Sequence, residues 1–227
     1  MRRRTRLRGA RVVLPSGVLE SGEVVVADGL IESAGPIAEP VEPVGPVEPV
    51  EPVESVEPVE PAAADAVHDL SGHWLVPGFV DMHVHGGGGA SYMSGDPGQA
   101  LRVAAFHRAH GTTTTMASLV TASHEELLRS VDALAGLVED GVLTGIHLEG
   151  PYLSRARCGA HDPDLLREPD RGEVDALLRA GRGTVRMVTL APELAGGVDL
   201  VRQLVDAGVS AAVGHTDGTH RETQAAI

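Results

Sequence analysis

Short apolar runs alternate with turn residues over residues 1–38 of the chain. The apolar runs at 11–14, 22–26 and 30–33 are separated by a Pro-Ser-Gly turn and an Asp-Gly turn, which are typical of β-hairpins. The pattern predicts a small β meander. We expect a return strand of the same small domain at 62–71.

Residues 39–61, between these two parts, repeat Glu-Pro-Val with a period of three. Proline at nearly every third position removes the amide hydrogens that a helix or a central strand requires. We therefore expect a disordered, solvated insertion of polyproline type. A passive linker is favoured over a proline-rich docking motif, because the repeat contains none of the basic or aromatic anchors that such motifs usually carry.

From residue 72 to residue 227, runs of strand length alternate with segments of helical periodicity, as in a parallel sheet with helical crossovers. Five such β–α units fit the first part of a (β/α)8 barrel, although a doubly wound open sheet fits the same periodicity. The chain ends within a fifth helix, so we expect a barrel that is truncated after its fifth strand. The predicted strands are 74–83, 112–118, 143–149, 184–190 and 209–215, and the predicted helices are 98–109, 125–139, 173–180 and 197–207.

The helix predicted at 125–139 has the clearest start signal. Ser123 is followed three residues later by Glu126, the spacing of a capping box, and an apolar stripe runs along the segment that follows. Thr219 and Glu222 have the same spacing at the start of the last helix. The stripe predicts a helix face that packs into the core.

Composition and charge argue against several kinds of binding partner and cellular location. The chain has 18 Lys and Arg against 32 Asp and Glu, a net charge of −14, which would repel a phosphate backbone and excludes nucleic acid as a partner. The single cysteine cannot form an intramolecular disulfide, so we expect a cytoplasmic protein. The basic N-terminus has no apolar core of signal-peptide length, and no run approaches the roughly 20 apolar residues of a membrane span.

Polar residues that suit metal binding stand at the predicted strand ends. His83 and His85 lie two apart at the end of the first strand, so both rings face one side. Glu149 ends the third strand and His215 the fifth, and carboxylate plus imidazoles is the ligand set of a catalytic divalent ion. His147 is read either as a hydrogen-bonded core histidine or as a residue that supports the ligands.

Four motifs resemble the N-acetylglucosamine-6-phosphate deacetylase family of the amidohydrolase superfamily. They are PGFVDMHVHG at 77–86, HLEGPYL at 147–153, GAHDP at 159–163 and GHTD at 214–217, with TLAPE at 189–193 in addition. The resemblance implies a metal-dependent hydrolase with a (β/α)8 barrel and part of a small N-terminal β-sandwich domain. It also implies that an ion-activated water hydrolyses N-acetylglucosamine 6-phosphate to glucosamine 6-phosphate and acetate in amino-sugar catabolism.

The resemblance also implies roles for individual residues. Glu149 would bind the primary divalent ion together with His215, and His83 and His85 would hold a second ion, so that one or two ions of zinc, iron or a similar metal bind per subunit. His161 would contact the substrate. The family's general acid/base is an aspartate that the resemblance places beyond the last residue, so no catalytic residue is assigned here and the chain alone is expected to be inactive. The complete protein is expected to be a homodimer.

Two nearby residues and two alternative functions complete the sequence-based picture. Cys158 is expected to be a loop cysteine near the substrate, and Asp217 to cap or turn the loop before the last helix.

One alternative to a deacetylase is a non-catalytic half-barrel that binds metal or a partner. Another is a different amidohydrolase such as a cyclic amidase. Relatives of that kind commonly bridge two metal ions with a modified lysine from the fourth strand, and Thr189-Leu190-Ala191 offers no lysine, which disfavours this alternative.

Overall fold

The structure, a computed structural model, describes residues 4–37 and 66–227. Contacts within the chain divide it into two compact units, Met1–Pro77 (the N-terminal unit) and Gly78–Ile227 (the C-terminal unit). The Glu-Pro-Val repeat at 39–61 lies outside the described residues. The domain division expected from the sequence, with boundaries after residues 38, 61 and 71, therefore stays a prediction.

The N-terminal unit is a five-stranded sheet. Strands β1, β2 and β3 form an antiparallel meander, and both β4 and β5 pair in parallel with β1. Asp28 and Gly29 join β2 to β3 with φ of 52° and 78°, the two positive values that suit the predicted Asp-Gly turn. The strands are β1 (Arg4–Leu14), β2 (Gly17–Ala27), β3 (Leu30–Pro36), β4 (Ala66–Asp69) and β5 (Trp74–Leu75).

These strands extend beyond the predicted apolar runs because charged residues continue the sheet. Arg4 Nε lies 2.7 Å from a carboxylate oxygen of Glu32, and Arg11 Nε lies 3.0 Å from Glu20. Arg11 and Glu20 form a cross-strand pair on the adjacent strands β1 and β2, while Arg4 reaches Glu32 across the intervening strand. Both pairs place charged residues at sheet positions that carry no apolar signal. The small core of the unit contains Ala10, Val12 and Val24.

The C-terminal unit is built on a parallel sheet of five strands in the order β6-β9-β10-β11-β12. A helix connects each strand to the next, and a two-stranded ribbon of β7 and β8 precedes the first helix. The strands are β6 (Phe79–Asp81), β7 (Gly86–Gly87), β8 (Ala90–Ser91), β9 (Thr112–Leu119), β10 (Gly145–Glu149), β11 (Val185–Leu190) and β12 (Ser210–Val213); the helices are α1 (Pro97–Ala109), α2 (His124–Glu139), α3 (Arg171–Ala180), α4 (Gly197–Asp206) and α5 (His220–Ala225).

The strand order distinguishes the two folds that the periodicity allowed. In a doubly wound sheet the order reverses at a switch point, whereas here each successive long strand is added on the same side of the previous one. This is the order of a (β/α)8 barrel, so the predicted fold class is confirmed.

The strand predicted at 74–83 is wrong in its extent. Trp74–Leu75 pairs with β1 in the N-terminal unit, and only Phe79–Asp81 joins the parallel sheet beside β9. Pro77 and Gly78 separate the two segments, and proline cannot donate a backbone hydrogen bond within a sheet. An apolar run that reads as one strand is therefore two.

Helix α2 shows how the local sequence fixes an element. The Ser123 side chain accepts a hydrogen bond from the Glu126 amide and the Glu126 side chain accepts one from the Ser123 amide, so the predicted capping box is present. Leu127, Val131 and Leu134 are almost completely buried in the main core. Within the part of the chain that the structure describes, no helix has both the length and the apolar composition to cross a membrane.

Candidate metal centre

The polar residues predicted at the strand ends meet at the C-terminal edge of the parallel sheet. Glu149 is the last residue of β10, and His215 follows β12 by two residues. His83 and His85 follow β6, which ends at Asp81, so the pair lies near the strand end as predicted, but His83 lies outside the strand rather than being its last residue. His161 lies in the loop between β10 and α3. Because the strands are parallel, their ends bring together residues distant in sequence.

The Glu149 carboxylate is the centre of this group. Its Oε2 atom lies 3.2 Å from His83 Nε2, 3.0 Å from His85 Nε2 and 3.5 Å from His161 Nε2, and its Oε1 atom lies 3.0 Å from His215 Nε2. The Nε2 atoms of His83 and His85 are 3.1 Å apart. All five predicted site residues therefore converge, and Glu149 is shared by two groups of potential ligands.

The spacing of these atoms suits a divalent ion. Ligand atoms at about 2.0 to 2.2 Å from a tetrahedral ion lie roughly 3.3 to 3.6 Å apart, close to the separations around Glu149. Glu149 is almost completely buried, and a buried carboxylate requires a cationic or hydrogen-bonding partner. One carboxylate and several imidazoles form a donor set that catalytic divalent-metal sites use.

Two of the histidines are held through Nδ1, so that in the neutral ring the Nε2 lone pair faces Glu149. His85 Nδ1 lies 3.1 Å from the backbone oxygen of Ser118, and His215 Nδ1 lies 2.8 Å from the backbone oxygen of Arg157. A carbonyl oxygen only accepts hydrogen bonds, so each Nδ1 carries the ring proton of the neutral imidazole. Each Nε2 then has the free lone pair that a metal ligand requires.

His161 has the opposite arrangement. Its Nδ1 accepts a hydrogen bond from the Thr121 backbone amide at 3.3 Å and lies 2.8 Å from Thr121 Oγ1. The ring proton of the neutral imidazole therefore resides on Nε2, which faces the Glu149 carboxylate. His161 presents an N–H group to the site, where His85 and His215 present lone pairs.

The electrostatics of the site favour positive charge. Hydrogen bonding from His85 lowers the pKa of Glu149 far below its usual range, against the effect of burial and with help from His83. The same hydrogen bond raises the pKa of His85 above its ordinary value. Without a metal ion the carboxylate thus favours a proton on His85, and a divalent cation competes for the same position.

His147 is completely buried beside the group. Its Nδ1 lies 2.9 Å from Ser118 Oγ and its Nε2 lies 2.8 Å from Thr189 Oγ1, while its ring packs edge-on against that of His83. Both readings of the sequence thus describe it: it is a hydrogen-bonded core residue, and it contacts a proposed ligand. Burial, with a smaller contribution from His83, lowers the pKa of His147 to about 4.

This shift predicts a stability that depends on pH. A histidine in the unfolded chain has a pKa of about 6.5, so as the pH falls from about 6.5 to about 4 protons bind preferentially to the unfolded state. The free energy of unfolding should therefore lose up to about 3 kcal/mol through His147 alone. Denaturant unfolding of the metal-free protein at several pH values should show a smaller acid loss in His147→Gln. An identical pH dependence in both proteins would contradict the assignment.

Two further residues near the site have other partners. Asp217 Oδ1 accepts a hydrogen bond from Arg157 Nε at 2.9 Å, and the Asp217 amide donates to Glu193. Cys158 is half-buried at the end of the short 3-10 turn Arg155–Arg157. Asp217 thus links its loop to Arg157 and Glu193, and Thr219 rather than Asp217 is the N-cap of α5. Cys158 lies in a loop, as expected.

Sequence reasoning missed the hydroxyl residues that hold the histidines. Ser118 and Thr121 stand at and just beyond the end of β9, and Thr189 lies on β11. Serine and threonine are common in strands and turns, so they gave no motif of their own. Their position near the C-terminal ends of barrel strands was the one available signal.

The Amidohydrolase family model matches residues 74–227 of the chain. The N-acetylgalactosamine-6-phosphate deacetylase of Escherichia coli O157:H7 is 30% identical over 226 residues, which cover 97% of this chain and 53% of that protein. The N-acetylglucosamine-6-phosphate deacetylase of Lysinibacillus sphaericus is 30% identical over 162 residues, 69% of this chain and 42% of that protein.

Solved structures extend the comparison. This chain is 43% identical in sequence to N-acetyl-D-glucosamine-6-phosphate deacetylase from Mycobacterium smegmatis. The crystal structure of that enzyme matches with a TM-score of 0.81, over 98% of this chain and 53% of that one. The Thermotoga maritima N-acetylglucosamine-6-phosphate deacetylase, at 24% identity and a TM-score of 0.71, has a similar fold. The chain spans about half the length of these relatives.

Proposed function

Because the chain belongs to the amidohydrolase family, we propose that it supplies the metal-binding part of an active site that deacetylates an N-acetylated amino-sugar phosphate. The observation that carries the proposal is the convergence of Glu149 with the Nε2 atoms of His83, His85 and His215. We infer that the substrate is N-acetylglucosamine 6-phosphate and the products are glucosamine 6-phosphate and acetate. The 43% identical Mycobacterium smegmatis enzyme, a mutant of which has been solved in complex with N-acetyl-D-glucosamine-6-phosphate, supports this choice.

A bound divalent ion would supply Lewis acidity, polarising the acetyl carbonyl and bringing the pKa of a coordinated water toward about 7. Glu149 would hold such an ion with His215, and His83 and His85 would complete the set or hold a second ion. Glu149 contributes the negative charge that offsets the desolvation of the cation. The Nδ1 hydrogen bonds of His85 and His215 already hold both rings with Nε2 facing Glu149, so ligation would require loss of any Nε2 proton but no rotation of the rings.

His161 would contact the substrate. Its Nε2–H group faces the space around Glu149, and Thr121 holds the ring from the other side. From this position it would donate a hydrogen bond to the acetyl oxygen, where negative charge develops as the carbonyl carbon becomes tetrahedral. Burial lowers the pKa of His161, which favours the neutral ring with a single donor.

N-Acetylgalactosamine 6-phosphate is a second candidate substrate. The Escherichia coli relative that aligns with 97% of the chain, and a Shewanella relative 36% identical over 68% of it, are N-acetylgalactosamine-6-phosphate deacetylases. Both sugars carry the same acetamide and phosphate, so the chemistry at Glu149 and His161 is common to them. Zinc or iron as the metal, a homodimeric complete protein and a cytoplasmic location stay predictions.

The proposal can be tested by metal binding and complementation. The purified chain should bind Zn²⁺ or Fe²⁺ in near-stoichiometric amounts. It should then be co-expressed with the segment of the Mycobacterium smegmatis enzyme that lies outside the aligned region, since the chain spans about half of that enzyme. Acetate release should be measured with three substrates to define the substrate class: N-acetylglucosamine 6-phosphate, N-acetylgalactosamine 6-phosphate and unphosphorylated N-acetylglucosamine. Ring opening of dihydroorotate tests for a cyclic amidase.

We expect acetate release from a sugar phosphate, at a level well above that of the bacterial segment alone. A chain that binds no divalent ion would contradict the metal-binding role. Hydrolysis of dihydroorotate without acetate release would identify a cyclic amidase, and metal binding without any hydrolysis would favour the non-catalytic half-barrel.

A further inference from the structure

We infer that Ser118 is a positioning residue that locks the segment carrying His83 and His85 onto strand β9 and thereby sets the geometry of the metal centre. The inference rests on the proposed function, because it concerns the same two histidines. Ser118 itself is no ligand in this scheme. It acts through hydrogen bonds on its backbone and its side chain.

The backbone of Val84, between the two histidines, has no regular strand partner of its own. The ladder between β6 and β9 ends at Asp81 and Thr115, two residues before His83. Beyond that point, the Ser118 amide donates to the Val84 oxygen at 3.0 Å and the Val84 amide donates to Ser118 Oγ at 3.1 Å. One serine therefore satisfies both backbone groups of the residue between the histidines.

The same serine also orients a ring. Its backbone oxygen accepts the hydrogen bond from His85 Nδ1, and this bond turns the Nε2 atom of the ring toward Glu149. A partner on the far nitrogen of a ligating histidine fixes both the tautomer and the orientation of the ring. Ser118 thus controls the position of the segment and the presentation of one ligand atom.

The hydroxyl group links this segment to the neighbouring strands. Since Ser118 Oγ accepts from Val84, its own proton is available to His147 Nδ1, and His147 Nε2 then donates to Thr189 Oγ1. The resulting chain of hydrogen bonds crosses β9, β10 and β11 at the level of the site. Ser118 and His147 are completely buried, so no water competes for these bonds.

The substitution Ser118→Ala would remove the hydroxyl while leaving the backbone bonds in place. The Val84 amide and His147 Nδ1 would each lose a partner in a buried environment, and the segment with His83 and His85 would gain freedom. Loss of a group that orients metal ligands typically lowers metal affinity by about 10- to 100-fold. We expect a loss near the lower end of that range, about 10-fold, for Ser118→Ala, because the backbone oxygen of residue 118 still holds His85 Nδ1.

The experiment compares Ser118→Ala with Ser130→Ala as a matched control. Ser130 is also a buried serine, but it lies on α2 and its Oγ donates to the Met93 oxygen. Zn²⁺ affinity should be measured by competition with a chelator, and the visible spectrum of the Co²⁺-loaded proteins should report the ligand geometry. Hydrogen exchange of the Val84 amide should be measured in the metal-free proteins, where Ser118→Ala should exchange about 5- to 10-fold faster.

The expected result is weaker metal binding, an altered Co²⁺ spectrum and faster Val84 exchange in Ser118→Ala alone. Unchanged affinity and exchange, or equal losses in Ser130→Ala, would overturn the inference. If Ser118→Ala does not fold, Ser118→Cys provides the same three readouts with a weaker hydrogen-bonding atom. If the wild-type chain binds no metal, the proposed function fails, and the Val84 exchange rate still decides whether the Ser118 hydroxyl holds the segment.

Discussion

Replacing Glu149 by glutamine should lower the affinity for a divalent ion by about 100-fold or more, because the substitution removes the one carboxylate among the predicted ligands. The glutamine side chain retains the shape of glutamate, so the loss of negative charge is the main change. Without the carboxylate, the imidazoles of His83, His85 and His215 have no buried anion to offset the charge of the cation. The metal content after extensive dialysis measures the effect.

Two companion variants make this result specific. Glu125→Gln, at an exposed position of α2, should leave the metal content unchanged. His161→Asn should also retain the metal, because Thr121 directs its Nδ1 lone pair away from Glu149. In the complemented protein His161→Asn should instead lower kcat by about 100- to 1,000-fold, the usual effect of removing one donor to a developing oxyanion. Equal metal loss in the Glu149 and His161 variants would contradict the separation of ligand from substrate contact.

Gly150→Ala should destabilise the protein by about 2 to 5 kcal/mol, since two costs combine at this position. Gly150 follows Glu149 and has a φ of 85°, which a residue with a Cβ atom adopts only with strain. The added methyl group would lie 2.4 Å from Thr121 Oγ1 and 3.0 Å from Leu153 Cδ1. Because Thr121 also holds His161, the crowding should disturb the site as well as the core.

Gly141→Ala is the matched control for the backbone cost. Gly141 has a similar φ of 74°, but an added Cβ atom would meet nothing within 4 Å. The control should therefore lose only about 1 to 2 kcal/mol. Denaturant unfolding of the two variants separates strain from crowding, and equal stability losses would show that the strand end yields to the methyl group.

The sequence alone determined most of the elements and most of the candidate site. The capping box at Ser123 and Glu126 acts over three residues, so it could be read directly and α2 begins where it predicts. Glu149 and His215 could be grouped because parallel strands bring their C-terminal ends to one edge, whatever the details of packing. Their roles as ligands stay predictions until metal binding is measured.

Only the tertiary structure decided which strands pair and which groups hold the histidines. The apolar run at 74–83 reads as one strand, yet its first part pairs with β1 and its second with β9. Ser118 lies 34 residues from Val84 and 33 from His85, and Thr121 lies 40 from His161. A hydroxyl group is small and common and carries no periodic signal. Its partner is set by the register of strands far apart in the chain, and that register depends on how the whole sheet packs.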